Sequence, residues 1–261
     1  MKYAQIPLIL AFSLAAFVPA VQADTTEAKR NSITLGVMQI PEFEGSKESE
    51  TFPLIAGIYH FDERFIVLEG TAIRANLVNS PNWRAGPVLN YRFGRDKDVK
   101  DLSVRALGPI KDAWETGAYA GYVMPVGAGM IAISGEVLSD ASDVHKGWTG
   151  STSVRYSRPI TPAFGVEVIG TASYMDKKYA QTYFGITPSQ SAASILPSYT
   201  AKSGAKDVGI DLVGSYKVTD TYSVTGFVGY RRLLSEAADS PIVKRGDKDQ
   251  VSLAIGISGT F

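Results

Sequence analysis

The chain contains no cysteine in its 261 residues. This absence excludes disulfide bonds, thiolate metal sites, a cysteine nucleophile and an N-terminal lipidated cysteine. An excess of charge of either sign is also missing, because 26 basic residues balance 26 acidic residues, and we therefore expect no nucleic-acid partner. Histidine is scarce, with two residues in the whole chain, which leaves little material for a histidine-based catalytic site.

The first 23 residues have the pattern of a secretory signal peptide. Lys2 provides the positive start, about a dozen apolar residues follow between Pro7 and Pro19, and residues 21–23 form a small-x-small cleavage site. A membrane anchor is disfavoured because a spanning helix needs about 20 apolar residues. We expect cleavage after Ala23 and one mature domain over residues 24–261. No later apolar run reaches spanning length, so this domain can cross a membrane only as a closed barrel.

Apolar residues alternate with small or polar residues along most of the mature chain, which is typical of β-strands. The pattern defines eleven segments, at residues 32–39, 52–60, 64–78, 82–93, 113–124, 130–139, 147–157, 163–174, 207–218, 222–233 and 251–261. Their usual length suits a tilted strand across a bilayer, which takes about 9–11 residues. Short turns alternate with longer loops in the second half. The sequence therefore predicts an all-β, antiparallel transmembrane barrel with short periplasmic turns and longer extracellular loops.

The number of strands is uncertain from the pattern, because a bacterial single-chain barrel has an even number. A weak strand at residues 99–107 would give twelve strands, which we prefer, and ten is the alternative. The alternation also changes phase near Gly70, which indicates a β-bulge in segment 64–78. A short helix is predicted at residues 189–194, where Thr187 can cap and Pro188 can occupy the first position.

Charged side chains occupy the face of the strands opposite the apolar face, and in a membrane barrel that face lines the lumen. The predicted lumen charges are Glu69, Arg74, Arg84, Arg92, Glu115, Glu136, Arg155, Glu167, Asp211, Lys217 and Arg231. Their near balance predicts pairing across the interior, since an unpaired charge in a narrow lumen is costly. We expect a largely occluded barrel with residues 181–200 folded over its mouth. A selective pore is the alternative hypothesis.

Aromatic residues recur on the apolar face in four pairs, each separated by eight positions. The predicted aromatic girdle consists of Trp83, Tyr91, Trp114, Tyr122, Trp148, Tyr156, Tyr222 and Tyr230. Eight tilted strand residues climb about 20 Å, close to the apolar band of about 25 Å between the aromatic rings of membrane barrels. The closing strand ends in Phe261, which resembles the terminal signal recognised by the barrel assembly machinery.

The residues that could support catalysis or metal binding do not form a convincing site. His145 lies near Asp143 with serines at positions 139 and 142, but this loop lacks the nucleophile elbow of a hydrolase. The acidic stretch at residues 42–50 lacks the spacing of a calcium loop, and we interpret it as a solvated outer loop. We therefore predict no catalytic residues, no metal and no cofactor.

Several longer stretches resemble the MipA/OmpV family of Gram-negative outer-membrane proteins. They are PEFEGS (41–46), GPVLNYRFGRD (86–96), HKG (145–147), QTYFGITPSQSAASILPSY (181–199), KDVGIDL (206–212) and EAADSPIV (236–243). The resemblance covers nearly all of the mature chain. It implies an outer-membrane location and a non-enzymatic scaffold that contacts a lytic transglycosylase and a murein synthase during peptidoglycan remodelling.

Two other functions remain open from the sequence. One is a small-solute pore or permeability modulator, and the other is an adhesin that acts through the loops at residues 175–207 and 234–249. In all three cases the expected surroundings are outer-membrane lipid and lipopolysaccharide, and the barrel assembly machinery is an expected partner during insertion.

Overall fold

The computed structural model describes residues 30–261, so the predicted signal peptide lies outside the described residues. The described chain forms twelve strands and five short helices. The strands are β1 Ser32–Pro41, β2 Ser49–Phe61, β3 Arg64–Glu69, β4 Ala72–Asn76, β5 Trp83–Arg92, β6 Ala113–Val126, β7 Gly129–Asp140, β8 Trp148–Thr161, β9 Phe164–Met175, β10 Gly204–Lys217, β11 Tyr222–Leu233 and β12 Asp249–Thr260. The helices are α1 Leu102–Arg105, α2 Lys177–Phe184, α3 Pro188–Ala193, α4 Ser235–Asp239 and α5 Pro241–Arg245.

The twelve strands close into one antiparallel barrel in which each strand pairs with its neighbours in the chain and β1 pairs with β12. The closing ladder runs from Ser32 opposite Thr260 to Gln39 opposite Leu253. Closure gives every strand a partner on both sides, and this is how backbone groups are satisfied in lipid. The predicted fold class and the preferred count of twelve strands are therefore confirmed.

The twelfth strand, however, does not come from residues 99–107, and that part of the prediction is wrong. Residues 102–105 form helix α1, capped by Asp101. The additional strand arises at Gly70, where the predicted bulge is instead a turn with Gly70 at φ 60°. The turn splits segment 64–78 into β3 and β4, which pair with each other from Phe65 opposite Asn76 to Glu69 opposite Ala72.

The two faces of the barrel wall follow the alternation in the sequence. On β12, Val251, Leu253, Ile255 and Ile257 are exposed on the outer face. The residues between them are small or polar and turn inward, and Ser252 and Ser258 are buried. A wall that is apolar outside and polar inside has the polarity required of a barrel surrounded by lipid.

The five helices lie in the loops at one end of the barrel, which is the extracellular end of the predicted topology. The predicted helix at residues 189–194 is confirmed as α3, with Thr187 and Gln190 forming a capping box and Pro188 in the first turn. Helices α1, α2, α4 and α5 were not predicted. Among the described residues, no helix combines the length and apolar character needed to cross a membrane.

A cluster of apolar side chains fills part of the upper lumen. Its buried members come from both sides of the barrel and are Met38, Ile40, Phe52, Leu54, Ala56, Ile169, Val213 and Phe227. Phe93 and Ala254 pack against the cluster. Inward-facing apolar residues were not predicted, because the inner face was expected to carry only polar and charged residues.

Candidate functional site

The extracellular end of the barrel is closed by a cap built from the five loops that follow β1, β5, β7, β9 and β11. Helix α2 is its centre, because Tyr179, Ala180, Tyr183 and Phe184 are buried there against residues of the other loops. Asp176 fixes the start of α2 by accepting hydrogen bonds from the backbone N–H groups of Tyr179 and Trp148 at 2.9 Å and 3.1 Å. The structure therefore places part of residues 181–200 over the mouth, as the sequence analysis expected.

Hydrogen bonds between the loops hold the cap together. The Ser240 hydroxyl before α5 donates to the Phe184 carbonyl at the end of α2, at 2.6 Å. The Gln190 amide of α3 donates to the Leu107 carbonyl at 3.0 Å. Arg245 of α5 pairs with Asp101, the N-cap of α1, at 2.9 Å. Because each loop contacts another loop, the cap is a packed layer rather than a set of independent loops.

Beneath α2, charged and aromatic side chains form the cap cluster, which consists of Glu44, Arg92, Glu115, His145, Tyr179 and Lys206. Glu44 receives Lys206 Nζ at 2.6 Å and the Tyr179 hydroxyl at 2.9 Å, and Arg92 lies 3.6 Å away. Arg92 Nε also donates to Glu115 at 2.7 Å. The Arg92 guanidinium carbon lies 4.8 Å from the centre of the Tyr179 ring, within cation–π range.

Burial and charge act in opposite directions on Glu44. Burial raises the pKa of its carboxyl, but Lys206 and Arg92 together lower it by more, so the pKa of Glu44 lies below its ordinary value. Burial raises the pKa of the Tyr179 hydroxyl well above its ordinary value, so this hydroxyl stays protonated and donates to Glu44. Glu44 therefore enters the cap cluster as a carboxylate.

The acidic stretch at residues 42–50 is not the solvated loop that the sequence analysis predicted. Glu42 is 7% exposed and pairs with Lys100 at 3.3 Å, and the Glu44 side chain is 15% exposed. Glu48 and Glu50 are more accessible, and Glu50 is exposed. The prediction failed because the cationic partners come from loops and strands distant in sequence.

His145 is a structural member of the cap cluster. It is 2% exposed, and its Nδ1 accepts a hydrogen bond from the Gly147 backbone N–H at 3.2 Å. The neutral ring then carries its proton on Nε2, which lies 3.0 Å from Glu115 Oε1 and donates to it. Asp140, rather than Asp143, organises this loop by accepting from the N–H groups of Ser142, His145 and Lys146. This arrangement does not assemble the hydrolase site considered from the sequence.

A second group of charges crosses the middle of the lumen. This lumen belt consists of Glu69, Arg74, Glu136, Arg155 and Glu167. Arg74 on β4 makes a two-pronged pair with Glu136 on β7, at 2.6 Å and 3.2 Å, and contacts Glu69 at 3.1 Å. Arg155 on β8 lies 3.2 Å from Glu167 and 3.6 Å from Glu69. Two of these pairs join neighbouring strands, and the Arg74–Glu136 and Arg155–Glu69 pairs cross the lumen between strands that are three and five apart in the barrel.

The remaining predicted lumen charges lie near the lumen wall but outside this belt. Arg231 lies 4.0 Å from Asp207, and Asp211 is buried on the neighbouring strand. Lys217 pairs with Asp220 of the periplasmic turn at 2.8 Å. Arg84 is also near the periplasmic end, where it donates to backbone carbonyls of residues 80, 81 and 83.

The predicted girdle residues fall at two levels of the outer face. Tyr91 and Trp114 are opposite each other near the capped end, with ring centres 4.8 Å apart. Trp83 and Tyr122 form the corresponding pair near the other end, at 4.9 Å. Strand direction places Trp148 and Tyr230 at the capped level and Tyr156 and Tyr222 at the lower level. Phe261, the predicted assembly signal, is 74% exposed, and its backbone N–H bonds the Asn31 carbonyl at 3.0 Å.

The lower lumen contains a cavity of about 560 Å³ that reaches the periplasmic turns. The charges of the lumen belt line the cavity, which continues past the belt to Asp207 near the capped end of β10. Arg30, Pro162 and Asp220 lie at its periplasmic rim. Serine and threonine hydroxyls line one side, while Phe65 and Tyr119 contribute aromatic surface. The cavity can accept a partly apolar group with polar or charged ends. Within residues 30–261, no group of three or more His, Asp and Glu side chains could hold a metal ion.

Two members of the cap cluster, Arg92 and Glu115, were among the predicted lumen charges. Glu44, His145, Tyr179 and Lys206 were missed as members. Tyr179 and Lys206 carry no period-two signal, since Tyr179 belongs to a loop helix and Lys206 lies at a register shift between β9 and β10. The available signal was Phe43, an apolar residue between Glu42 and Glu44 that the structure buries.

Two proteins of Escherichia coli are similar in sequence to part of this chain. The putative outer membrane protein YiaT of Escherichia coli (strain K12) is 28% identical over 134 residues, which are 49% of this chain and 51% of that protein. The MltA-interacting protein of Escherichia coli (strain K12) is 25% identical over 166 residues, which are 62% of this chain and 63% of that protein. The matches thus cover less than two thirds of the length of either relative.

Solved structures with a similar course of the chain are outer-membrane barrels. An outer membrane channel from Pseudomonas putida F1 has a TM-score of 0.48 and 13% identity, covering 92% of this chain and 100% of that one. An anion-selective porin from Comamonas acidovorans has a TM-score of 0.42 and 9% identity, covering 89% and 99%.

A family model described as MltA-interacting protein MipA matches residues 33–261, which is the whole barrel from its first strand. The closed barrel and the name of the YiaT relative agree with this match, and together they locate the protein in the bacterial outer membrane. The chain belongs to the MipA family of outer-membrane proteins.

Proposed function

We propose that this protein is a non-enzymatic barrel that binds a murein-processing enzyme, a lytic transglycosylase or a murein synthase, at its periplasmic end. The observation that carries the proposal is the asymmetry of the lumen. The cap and the apolar cluster fill the extracellular end, whereas the cavity of about 560 Å³ opens at the periplasmic end.

The periplasmic cavity provides contact area that the short periplasmic turns lack. The turns that follow Phe61, Val126 and Thr161 contain only two residues each, which is too little surface for a stable enzyme complex. A segment of the partner that inserts into the cavity would add buried contact area. The mixed apolar and hydroxyl lining suits a peptide segment, and the paired charges of the lumen belt lie along the wall of the cavity.

The comparisons support an interaction role in a limited way. One relative is named for interaction with MltA, and that name describes the relative.

The two other functions have less support from the geometry. A pore needs a continuous path, but the cap lies across it at the extracellular end. An adhesin would use outer loops as separate binding surfaces, whereas here these loops pack against each other.

The proposal is tested by filling the cavity near its periplasmic rim. Ser223 lines the cavity at the start of β11, and Ser223→Trp places a large side chain there. Detergent-solubilised barrel is immobilised, and retention of a purified lytic transglycosylase and a purified murein synthase is measured. We expect retention of at least one enzyme by the unmodified barrel and severalfold weaker retention by Ser223→Trp.

The matched control is Ala120→Trp, which adds the same side chain on the exposed outer face of β6. It should retain the enzymes as the unmodified barrel does, and heat-dependent gel mobility verifies that both variants are folded. Failure of the unmodified barrel to retain either enzyme contradicts the proposal. Equal retention by the two tryptophan variants would show that the cavity is not the contact.

A further inference from the structure

Buried polar atoms without a hydrogen bond gather at the end of the lumen cavity that is nearest the cap. Within residues 30–261, five such atoms belong to neighbouring residues there, and they are Thr171 Oγ1, Ser173 Oγ, both carboxylate oxygens of Asp207, and Asp211 Oδ2. Asp207 lines the cavity and is 1% exposed, and Asp211 is 3% exposed. Because buried polar groups in proteins are normally hydrogen-bonded, this arrangement indicates a site for a polar ligand.

The register of β9 and β10 explains why these groups lie together. Asp207, Gly209 and Asp211 share the inner face of β10, because side chains alternate along a strand. Thr171 of β9 is directly opposite Gly209. Gly209 has no side chain, and a Cβ atom there would lie 2.8 Å from Thr171 Oγ1 and 3.4 Å from Arg231 Nε. Thr171 and Arg231 therefore occupy the space between the two carboxylates.

Carboxylates and cations alternate from the cap cluster to this end of the cavity. The series contains four carboxylates and three cations, in the order Glu115, Arg92, Glu44, Lys206, Asp207, Arg231 and Asp211. Lys206 lies 2.6 Å from Glu44 and 3.3 Å from Asp207. Arg231 lies 4.0 Å from Asp207 and has the largest electrostatic effect of any cation on Asp211. Because the series begins and ends with a carboxylate, it has one surplus negative charge.

The surplus charge of this series is least compensated at the Asp211 end. Glu115, at the other end, accepts hydrogen bonds from three side chains, which are Asn90, Arg92 and His145. The Asp207 and Asp211 oxygens named above accept none from the described residues. A buried charge needs both an opposite charge and hydrogen bonds, so this end of the series favours a cationic donor.

The lumen belt, on the wall of the same cavity, supplies a second surplus charge. It has three carboxylates and two cations, as defined above. Its member Glu167 is opposite Val213, so Glu167 and Asp211 are diagonal neighbours on the inner faces of β9 and β10. Such neighbours are about 7–8 Å apart. Two carboxylates with surplus charge thus lie a short distance from each other along one wall.

A linear aliphatic diamine has the chemistry that this wall requires. Each of its ammonium groups has one positive charge and three N–H donors, which match carboxylate and hydroxyl oxygens. A five-carbon chain between the two nitrogens spans a distance similar to that between diagonal neighbours. Val67 and Ala132 contribute apolar surface to the cavity for the methylene groups. A divalent metal ion fits less well, because residues 30–261 contain no group of three His, Asp or Glu side chains that could hold one.

We propose that the part of the cavity nearest the cap binds a linear aliphatic diamine, with one ammonium at Asp207 and Asp211 and the other at Glu167. The diamine enters from the periplasm, where the cavity opens. This site does not depend on the proposed enzyme partner. The two proposals fail separately, because the assay of diamine binding contains the barrel alone.

Isothermal titration calorimetry tests the proposal with cadaverine, the five-carbon diamine. The titration is done at about pH 8, where both amines are protonated. The barrel is purified in an uncharged detergent and freed of lipopolysaccharide, so that the diamine meets no other anionic surface. We expect a dissociation constant of about 1 mM or lower. Pentanediol and glutarate, which have neutral and acidic ends on a chain of equal length, should show no measurable binding.

Two variants locate the site. Asp211→Asn removes a carboxylate charge and should weaken cadaverine binding about tenfold or more, the usual effect of losing a charged hydrogen bond. Thr171→Val removes a hydroxyl without changing any charge and should weaken binding severalfold. The matched control is Asp249→Asn, which removes one negative charge from the outer face of β12, where Asp249 pairs with Arg232 at 2.9 Å. The control should bind cadaverine as the unmodified barrel does.

Three results would overturn the proposal. The first is no binding of cadaverine to the unmodified barrel, which would mean that protons or water satisfy the carboxylates. The second is binding of pentanediol as strong as that of cadaverine. The third is equal weakening by Asp211→Asn and Asp249→Asn. Heat-dependent gel mobility verifies folding, and if Asp211→Asn does not fold, unchanged affinity in Thr171→Val overturns the proposal instead.

Discussion

At the scale of single residues, Glu44 makes ion-pair and hydrogen-bond contacts that help to hold the cap closed. Its carboxylate contacts Lys206 and Tyr179 directly and lies near Arg92. Its pKa in the folded cap is lower than the ordinary value of about 4.3 for glutamate. A carboxyl with a depressed pKa contributes stability that is fully present above its unfolded pKa and is lost as pH falls through the folded pKa.

We therefore expect the cap to become less stable below about pH 4. The measurement is the opening free energy of α2, from hydrogen exchange of the amides of residues 177–184 corrected for intrinsic rates. Glu44→Gln should lower this free energy by about 2 kcal/mol at neutral pH, because it removes the charged acceptor of the hydrogen bonds from Lys206 and Tyr179. The variant should also lose much of the acid dependence. Glu48→Gln, in the same loop, is the control, and an equal effect from it would contradict the prediction.

At the residue scale, the sequence indicates the direction of a side chain where the alternation along a single strand determines it. Arg74, Glu136 and Arg155 face the lumen because the alternation along each strand leaves them no other side. The burial of Glu42 and Glu44 could not be predicted in this way. Their cations, Lys100 and Lys206, are brought to them by the packing of separate loops, which leaves no local pattern.

At the scale of elements, the turn at Gly70 determines the number of strands. In a strand-rich sequence, the alternation of apolar and polar residues changes phase either at a β-bulge or at a tight turn. The pattern alone does not distinguish these two causes. The left-handed backbone of Gly70 indicates the turn. The twelve strands predicted from the sequence therefore included a strand at residues 99–107, where Asp101 instead caps helix α1.

We expect Gly70→Val to destabilise the barrel by about 1–2 kcal/mol, the usual cost of a left-handed conformation for a residue with a Cβ atom. Unfolding in urea, followed by the loss of the fast-migrating folded band on gels, measures the change. Gly170→Val is the matched control, since Gly170 has an ordinary φ and a Cβ there meets no atom within 4 Å. Equal destabilisation by both variants would contradict the role assigned to the turn.

At the scale of the whole molecule, the environment of the barrel explains why its class could be predicted. Lipid outside requires an apolar outer face, so charges at alternate strand positions must turn toward the lumen. The cap could not be predicted from the same rule, because it depends on contacts among five loops that leave no pattern in any one strand.

We expect the cap to prevent ion conduction through the lumen, and helices α2 and α3 allow this prediction to be tested. Both lie in the loop after β9, but α2 contributes four buried side chains and α3 contributes none. Replacing residues 177–184 with a glycine–serine linker of equal length should remove Tyr179 and Tyr183 from the mouth. The same replacement of residues 188–193 leaves these side chains in place.

In planar-bilayer recordings, the unmodified protein and the α3 replacement should show no steady conductance. The α2 replacement should conduct, because water then reaches the charges of the cap cluster and hydrates a path to the periplasmic cavity. If the α2 replacement conducts, Glu136→Gln in that background should alter its ion selectivity, since this change leaves the positive charge of Arg74 in the lumen belt less compensated. Steady conductance of the unmodified protein would contradict the closed lumen and favour a pore over the proposed interaction function.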